Sequence, residues 1–267
     1  MKVLNYCRNL IASRKVVRAL ARNDFKVRYS GSYLGVAWGF IQPVVTILVY
    51  WFVFSVGLKA SRPTGEAPFI LWLTAGIIPW FYFSEALSAA TDCLSEYSYL
   101  VKKVVFPYSV LPSVKIISAF FAHIFFVFLL LVLFAFYGYF PTVYVLQLPY
   151  YILCLVMLTL ALSIITSSVN AFFKDTRQIV NIVLQLGFWA TPVVWDISII
   201  GIPTVSFLLK LNPVYYVVEG FRNSFIKHTW FFEQPLYTLY FWVLTLFLMW
   251  LGIRLFERLK PHFSDVL

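Results

Sequence analysis

Ionisable side chains set within apolar runs are where this sequence could do chemistry, and they are few. Glu85 is almost alone in the run from residue 68 to residue 90. Coupling to protons or ions uses several such groups held out of water. A single carboxylate about two helical turns from the end of its run suits pairing or reaching toward water as well as a mechanistic role. Glu219 and Arg222 are spaced i and i+3, so on a helix they can pair or share a wet face. His123, His228 and His262 are scattered, and Cys7, Cys93 and Cys154 lack both metal-ligand spacing and the pattern of a disulfide framework. The sequence contains no G-x-x-x-x-G-K-[ST], H-E-x-x-H or G-x-S-x-G. No catalytic residue, metal site or cofactor is therefore expected on this chain, and work done against a gradient would draw on a partner.

The elements that must position these residues follow from composition. Of 267 residues 61% are hydrophobic and 12% charged, and the mean hydropathy is +0.84, so the bilayer must be part of the solvent. Crossing it takes about 20 apolar residues in a helix. The pattern predicts an all-α polytopic protein, one transmembrane domain over 1–267, with six spans at 35–58, 68–90, 113–137, 149–173, 178–195 and 235–254. Pro43 predicts a kink in the first. The charge-free stretch 116–173 is too long for one helix and is punctuated by Gly138, Pro141, Gln147 and Pro149, hence two spans and a turn. Residues 196–233 are too apolar for a solvated loop, yet Gly201 and Pro203 break them before they could cross. Val214, Val217, Val218, Phe221 and Phe225 recur at helical spacing after Pro213. Two short re-entrant helices fit, with Pro192, Glu219 and Arg222 as candidates for an outer gate, and a flat amphipathic hairpin is the alternative.

Basic residues flanking the spans number sixteen on the side of the N-terminus and five on the other, which predicts both termini in the cytoplasm. The net charge of +10 sits mostly in these short flanks, not on a broad water-exposed face, so no nucleic-acid partner is expected. Charges run through residues 2–28 without an apolar core, unlike a cleavable signal peptide. In 1–29, Val3, Cys7, Leu10, Val17 and Ala21 share one helical face while Arg8, Arg14, Lys15, Arg18 and Arg22 lie mainly elsewhere, an interfacial helix suited to anionic inner-leaflet lipids. Between the second and third spans, 92–107 forms a charged inner segment. Leu94, Tyr97, Val101 and Val104 can present an apolar edge, with Asp92, Glu96, Lys102 and Lys103 for polar contacts and Pro107 as a stop.

Four motifs occur in order along this frame. They are Asp24-Phe25-Lys26-Val27-Arg28-Tyr29 followed by Leu34-Gly35, Trp38 and Gln42-Pro43; Leu100-Val101-Lys102-Lys103-Val104-Val105-Phe106-Pro107 with Leu111-Pro112; Lys174-Asp175-Thr176-Arg177; and Thr191-Pro192 with Asn212-Pro213 through Arg222. Over most of its length the chain resembles the membrane-spanning permeases of ATP-binding-cassette exporters of cell-surface polysaccharides, such as O-antigen, capsule and teichoic acid permeases. It departs in carrying Tyr97-Ser98-Tyr99 and Tyr108-Ser109 where such permeases often have asparagines and an acidic residue. The resemblance implies a homodimer in the inner membrane with two separate ATPase subunits that bind ATP and magnesium. Leu94, Glu96, Tyr97, Leu100, Val101, Lys102, Lys103 and Val104 would then dock the ATPase. The implied substrate is a glycan on a polyprenyl diphosphate lipid. Trp38, Tyr50, Phe54, Trp80, Phe81, Tyr82 and Phe83 are candidates for contact with it, since aromatic faces stack on sugar rings, although an interfacial belt and lipid-facing packing also account for them. A stand-alone secondary transporter or channel, and more distantly an intramembrane glycan-modifying enzyme, are the competing readings.

Overall fold

The computed structural model describes residues 6, 8, 10–28, 33–57, 67–102 and 107–266, the last stretch without the side chains of 264 and 265. Secondary structure in these residues is helical throughout. The helices of eight residues or more are α1 (Arg14–Arg28), α2 (Trp38–Trp51), α3 (Phe69–Thr91), α4 (Leu111–Phe136), α5 (Leu148–Asn170), α6 (Thr176–Ala190), α7 (Pro203–Lys210), α8 (Pro213–Arg222) and α9 (Pro235–Leu259). Five stretches are long and apolar enough to cross a membrane: Gly35–Gly57, which contains α2, then Phe69–Thr91, Tyr108–Phe136, Val143–Asn170 and Pro235–His262. Six were expected. The stretch expected at 178–195 is α6, whose 15 residues span only about 22 Å before the chain turns extended at Thr191.

α3 is the hub. It packs against α4, α5, α8, α6 and α2, while α9 leans on α5 and α1 lies along α4. Leu71, Leu73, Ala75 and Ile77 have no exposed surface at all, as a helix surrounded by neighbours requires. α2 is the opposite case: it buries only Ile47, and Val45, Leu48 and Val49 are half exposed, which costs little where the surroundings are acyl chains.

Local chemistry sets the turns. α4 ends at Gly138, whose φ of 80° is left-handed, and the Tyr139 amide reaches back to the Phe134 carbonyl at 2.9 Å. Gln147 then ties this turn to the segment before α9. Its amide nitrogen donates to the Thr229 carbonyl (2.8 Å) and its oxygen accepts from the Phe231 amide (3.0 Å). In α1, Val17 and Ala21 are buried, and they pack on Val110 and Val114 at the start of α4. Leu10, Val17 and Ala21 of the expected interfacial stripe are thus used within the protein, Val3 and Cys7 lie outside the described residues, and the exposed Arg14, Lys15, Arg18 and Arg22 face outward.

Close approach of α8 to α5 depends on Gly220, where a Cβ would overlap the Tyr151 ring. Gly220→Ala is expected to destabilise the protein by about 1–3 kcal/mol through overpacking. Thermal unfolding of the detergent-solubilised chain measures this, and Tyr151→Leu in the same background should recover part of the loss.

Candidate functional site

Two polar clusters interrupt the apolar packing, one near each end of the bundle. The first begins with Asp24 on α1, which faces the bundle because it lies seven residues after Val17 and three after Ala21. Asp24 is only 6% exposed. Its carboxylate accepts from Lys115 Nζ on α4 (2.5 Å) and from the Tyr97 hydroxyl (3.2 Å), and Arg28 Nη2 lies 3.3 Å away. Burial alone would raise the Asp24 pKa. The hydrogen bond from Lys115, with the charges of Lys115 and Arg28, outweighs it and holds the carboxyl below its ordinary value.

From this pair the network spreads across the bundle. Lys115 also binds Glu96 at 2.6 Å, and Arg28 donates to Glu85 on α3. The carboxylate that the sequence left with several readings is therefore an ion-pair partner of the N-terminal helix. Asp92, just past α3, accepts from Arg177 of α6 (2.7 Å) and from Asn170 of α5 (3.0 Å). Asp92 caps and Glu96 ends the first of two one-turn helices, Cys93–Glu96 and Ser98–Val101. The segment expected to dock a partner is thereby clamped to α1, α4, α5 and α6 at once.

The expected docking residues divide sharply. Leu94, Tyr97 and Val101 are 1%, 7% and 5% exposed, so they turn into the chain's own core, and the apolar edge read from the sequence is spent internally. Leu100 is half-buried, whereas Glu96, Tyr99 and Lys102 are exposed. Lys103 and Val104 lie outside the described residues.

Next to this first cluster, between α2, α3 and α6, lies a recess of about 510 Å³. Gln42, Thr46, Ser84, Ser88 and Asn181 line it, with the Arg28–Glu85 pair at its base and Trp38 and Phe81 at its walls. Ser88 donates to the Asn181 side chain at 2.7 Å. So many amide and hydroxyl groups within spanning helices suit a wet path better than a lipid contact.

The aromatic candidates are distributed unequally. Trp38 is 45% exposed, while Tyr50 stacks on Phe188 of α6 and Phe54 lies beside Phe69. Trp80, Tyr82 and Phe83 are buried in the core, so the run of four aromatics from Trp80 presents only Phe81 to the recess. Among the described residues no three of His, Cys, Asp and Glu gather as a metal ion would need.

The second cluster centres on Arg222, 1% exposed at the end of α8. Its guanidinium donates to the carbonyls of Pro192 (2.8 Å) and Val193 (2.6 Å) and to Glu219 (2.7 Å), and stacks 3.5 Å from the Trp72 ring centre. The three expected gate residues do come together, but as a clasp: Pro192 contributes its carbonyl and Arg222 is sealed from solvent. Lys227 pairs with the other oxygen of Glu219 at 2.6 Å. In the sequence, Arg28 and Lys115 count as charges that set topology, and Asp24 and Arg28 stand in the first motif at i, i+4 spacing; nothing there pairs Asp24 with Lys115 or Arg28 with Glu85.

An all-α membrane protein with an ionic clamp at one end and a polar recess leading from it has the construction of a transport subunit. Residues 15–226 match the ABC-2 type transporter family. The chain is 31% identical to the O-antigen export system permease protein RfbA of Myxococcus xanthus, over 98% of this chain and 99% of that protein. It is 29% identical to the protein of the same name from Klebsiella pneumoniae, over 93% of each. The chain belongs to the ABC-2 type transporter family.

Proposed function

We propose that this chain is the transmembrane subunit of an ATP-driven exporter of O-antigen polysaccharide. Two copies form the path, and two separate ATPase subunits supply the energy by binding ATP with magnesium. The lipid-linked glycan, carried on a polyprenyl diphosphate, moves from the cytoplasmic to the outer face of the inner membrane. The observation that carries this reading is likeness over essentially the whole chain to permeases that bear that name. The ionic clamp supports it physically. An ATPase pressing on the exposed Glu96, Tyr99 and Lys102 would move a segment tied by ion pairs to α4 and α6 and by the Tyr97–Asp24 hydrogen bond to α1, whose Arg28 and the α6 residue Asn181 line the recess. Removal of the gene from a producing strain should abolish surface O-antigen, and its return on a plasmid should restore it. Unchanged surface glycan in the deletion strain would refute the proposal.

Two further results are expected. Replacing Lys102 and Lys103 together with Glu should reduce co-purification of the ATPase by at least about tenfold, the size expected when like charges are set against each other at a contact, while the variant still inserts. With both termini cytoplasmic, single cysteines at Lys102 and at Ser61, in a background without the three native cysteines, should differ in intact cells. Only position 61 should react with an impermeant maleimide.

A further inference from the structure

A second cavity, of about 720 Å³, lies between α7, α8 and the first turns of α9, on the side that the basic-residue count assigns to the exterior. We infer that it is a binding site for a short stretch of carbohydrate. Tyr215, Tyr237 and Tyr240 form its walls. The last two rings lie within 10° of parallel at 6.3 Å. Their hydroxyls are already committed, donating to the carbonyls of Lys210 and Leu211 at 2.6 Å each, so the aromatic faces are fixed before any ligand arrives. Glu219, Asn223 and Gln234 add a carboxylate and two amides to the lining. Thr229 lines the same cavity, and its hydroxyl is buried without a hydrogen-bond partner.

This combination selects among ligands. A pyranose ring has an apolar face of C–H groups and a rim of hydroxyls, and so uses flat aromatic walls together with amide and carboxylate partners. An acyl chain would strip water from the Asn223 and Gln234 amides without replacing its hydrogen bonds. Lys210 and Lys227 also line the cavity, but Lys227 is already bound to Glu219 at 2.6 Å, and a phosphate headgroup would meet that same carboxylate. The volume falls in the usual range for small-ligand sites, about 300–1,000 Å³.

The inference rests on the proposed export of a glycan for its choice of probe. Oligosaccharides of two to four sugars, released by mild acid from the surface glycan of the producing strain, are added to the full-length chain in nanodiscs. Saturation-transfer NMR and titration calorimetry then read binding. Saturable binding is expected, weakened about tenfold by Tyr240→Ala or by Asn223→Ala, a loss equivalent to one good contact. Tyr240→Phe, which keeps the ring, should bind within about threefold of the parent, and equal melting temperatures exclude misfolding as the cause. Absence of saturable binding in a preparation that supports export overturns the inference, as does binding indifferent to Tyr240→Ala. So does a co-purifying phospholipid that Tyr240→Ala releases, which would assign the cavity to lipid. Failure of the export reading shows separately, as surface glycan that persists when the gene is deleted.

Discussion

Lys115→Met is expected to lower the stability of the solubilised chain by about 3–5 kcal/mol and to abolish export, because it leaves buried Asp24 without its nearest cation. Asp24 is 6% and Lys115 4% exposed, so water cannot take over the role. Adding Asp24→Asn to the same chain should recover much of the stability, since no unpaired buried charge then remains. Export should not recover, because Glu96 has still lost its 2.6 Å link to α4. That separation of folding from transport tests the clamp as a mechanical connection; recovery of export along with stability would reduce it to a packing feature. The pair also sets an acid limit. Asp24 is held below its ordinary pKa when folded, so its contribution is complete above about pH 4 and is lost as pH falls through the lower folded value. Lys115→Met should remove this acid-side slope from the stability profile.

Arg222→Ala should be comparably severe, at about 3–5 kcal/mol, since it strands the carbonyls of Pro192 and Val193 and leaves Glu219 with Lys227 alone. Arg222→Lys should rescue little, because an ammonium cannot reproduce a planar fork that binds two carbonyls and a carboxylate while stacking on Trp72. An independent route to the same defect is Gly76→Leu. Any Cβ at Gly76 would overlap the Arg222 guanidinium, displacing it without altering its charge. All three variants should loosen the segment between α6 and α8. Cysteines placed at Val205 and Val218 in these backgrounds should react faster with an impermeant reagent than in the parent. Unchanged reactivity with a lowered melting temperature would make Arg222 a structural residue with no part in gating.

Much of the architecture was legible because the properties that fix it are local. Whether a stretch of twenty residues prefers lipid is a sum over its own side chains, so the helices containing Phe69–Thr91 and Pro235–Leu259 could be placed without a fold. The break at Gly138 was legible for the same reason: a left-handed residue and a nearby proline end a helix wherever it lies. The tertiary structure alone decided which side chains meet. Glu85 finds Arg28 across 57 residues, and Lys115 finds Asp24 across 91. Arg222 reaches carbonyls 29 and 30 residues away. No periodicity announces such partners, because helices apolar on every side, as α3 is, carry no moment to say which face meets which neighbour. The inward turn of Leu94, Tyr97 and Val101 has the same origin. Their spacing marks an apolar edge, and only the packing of α3, α4 and α5 around it decides that the edge is covered by the chain itself.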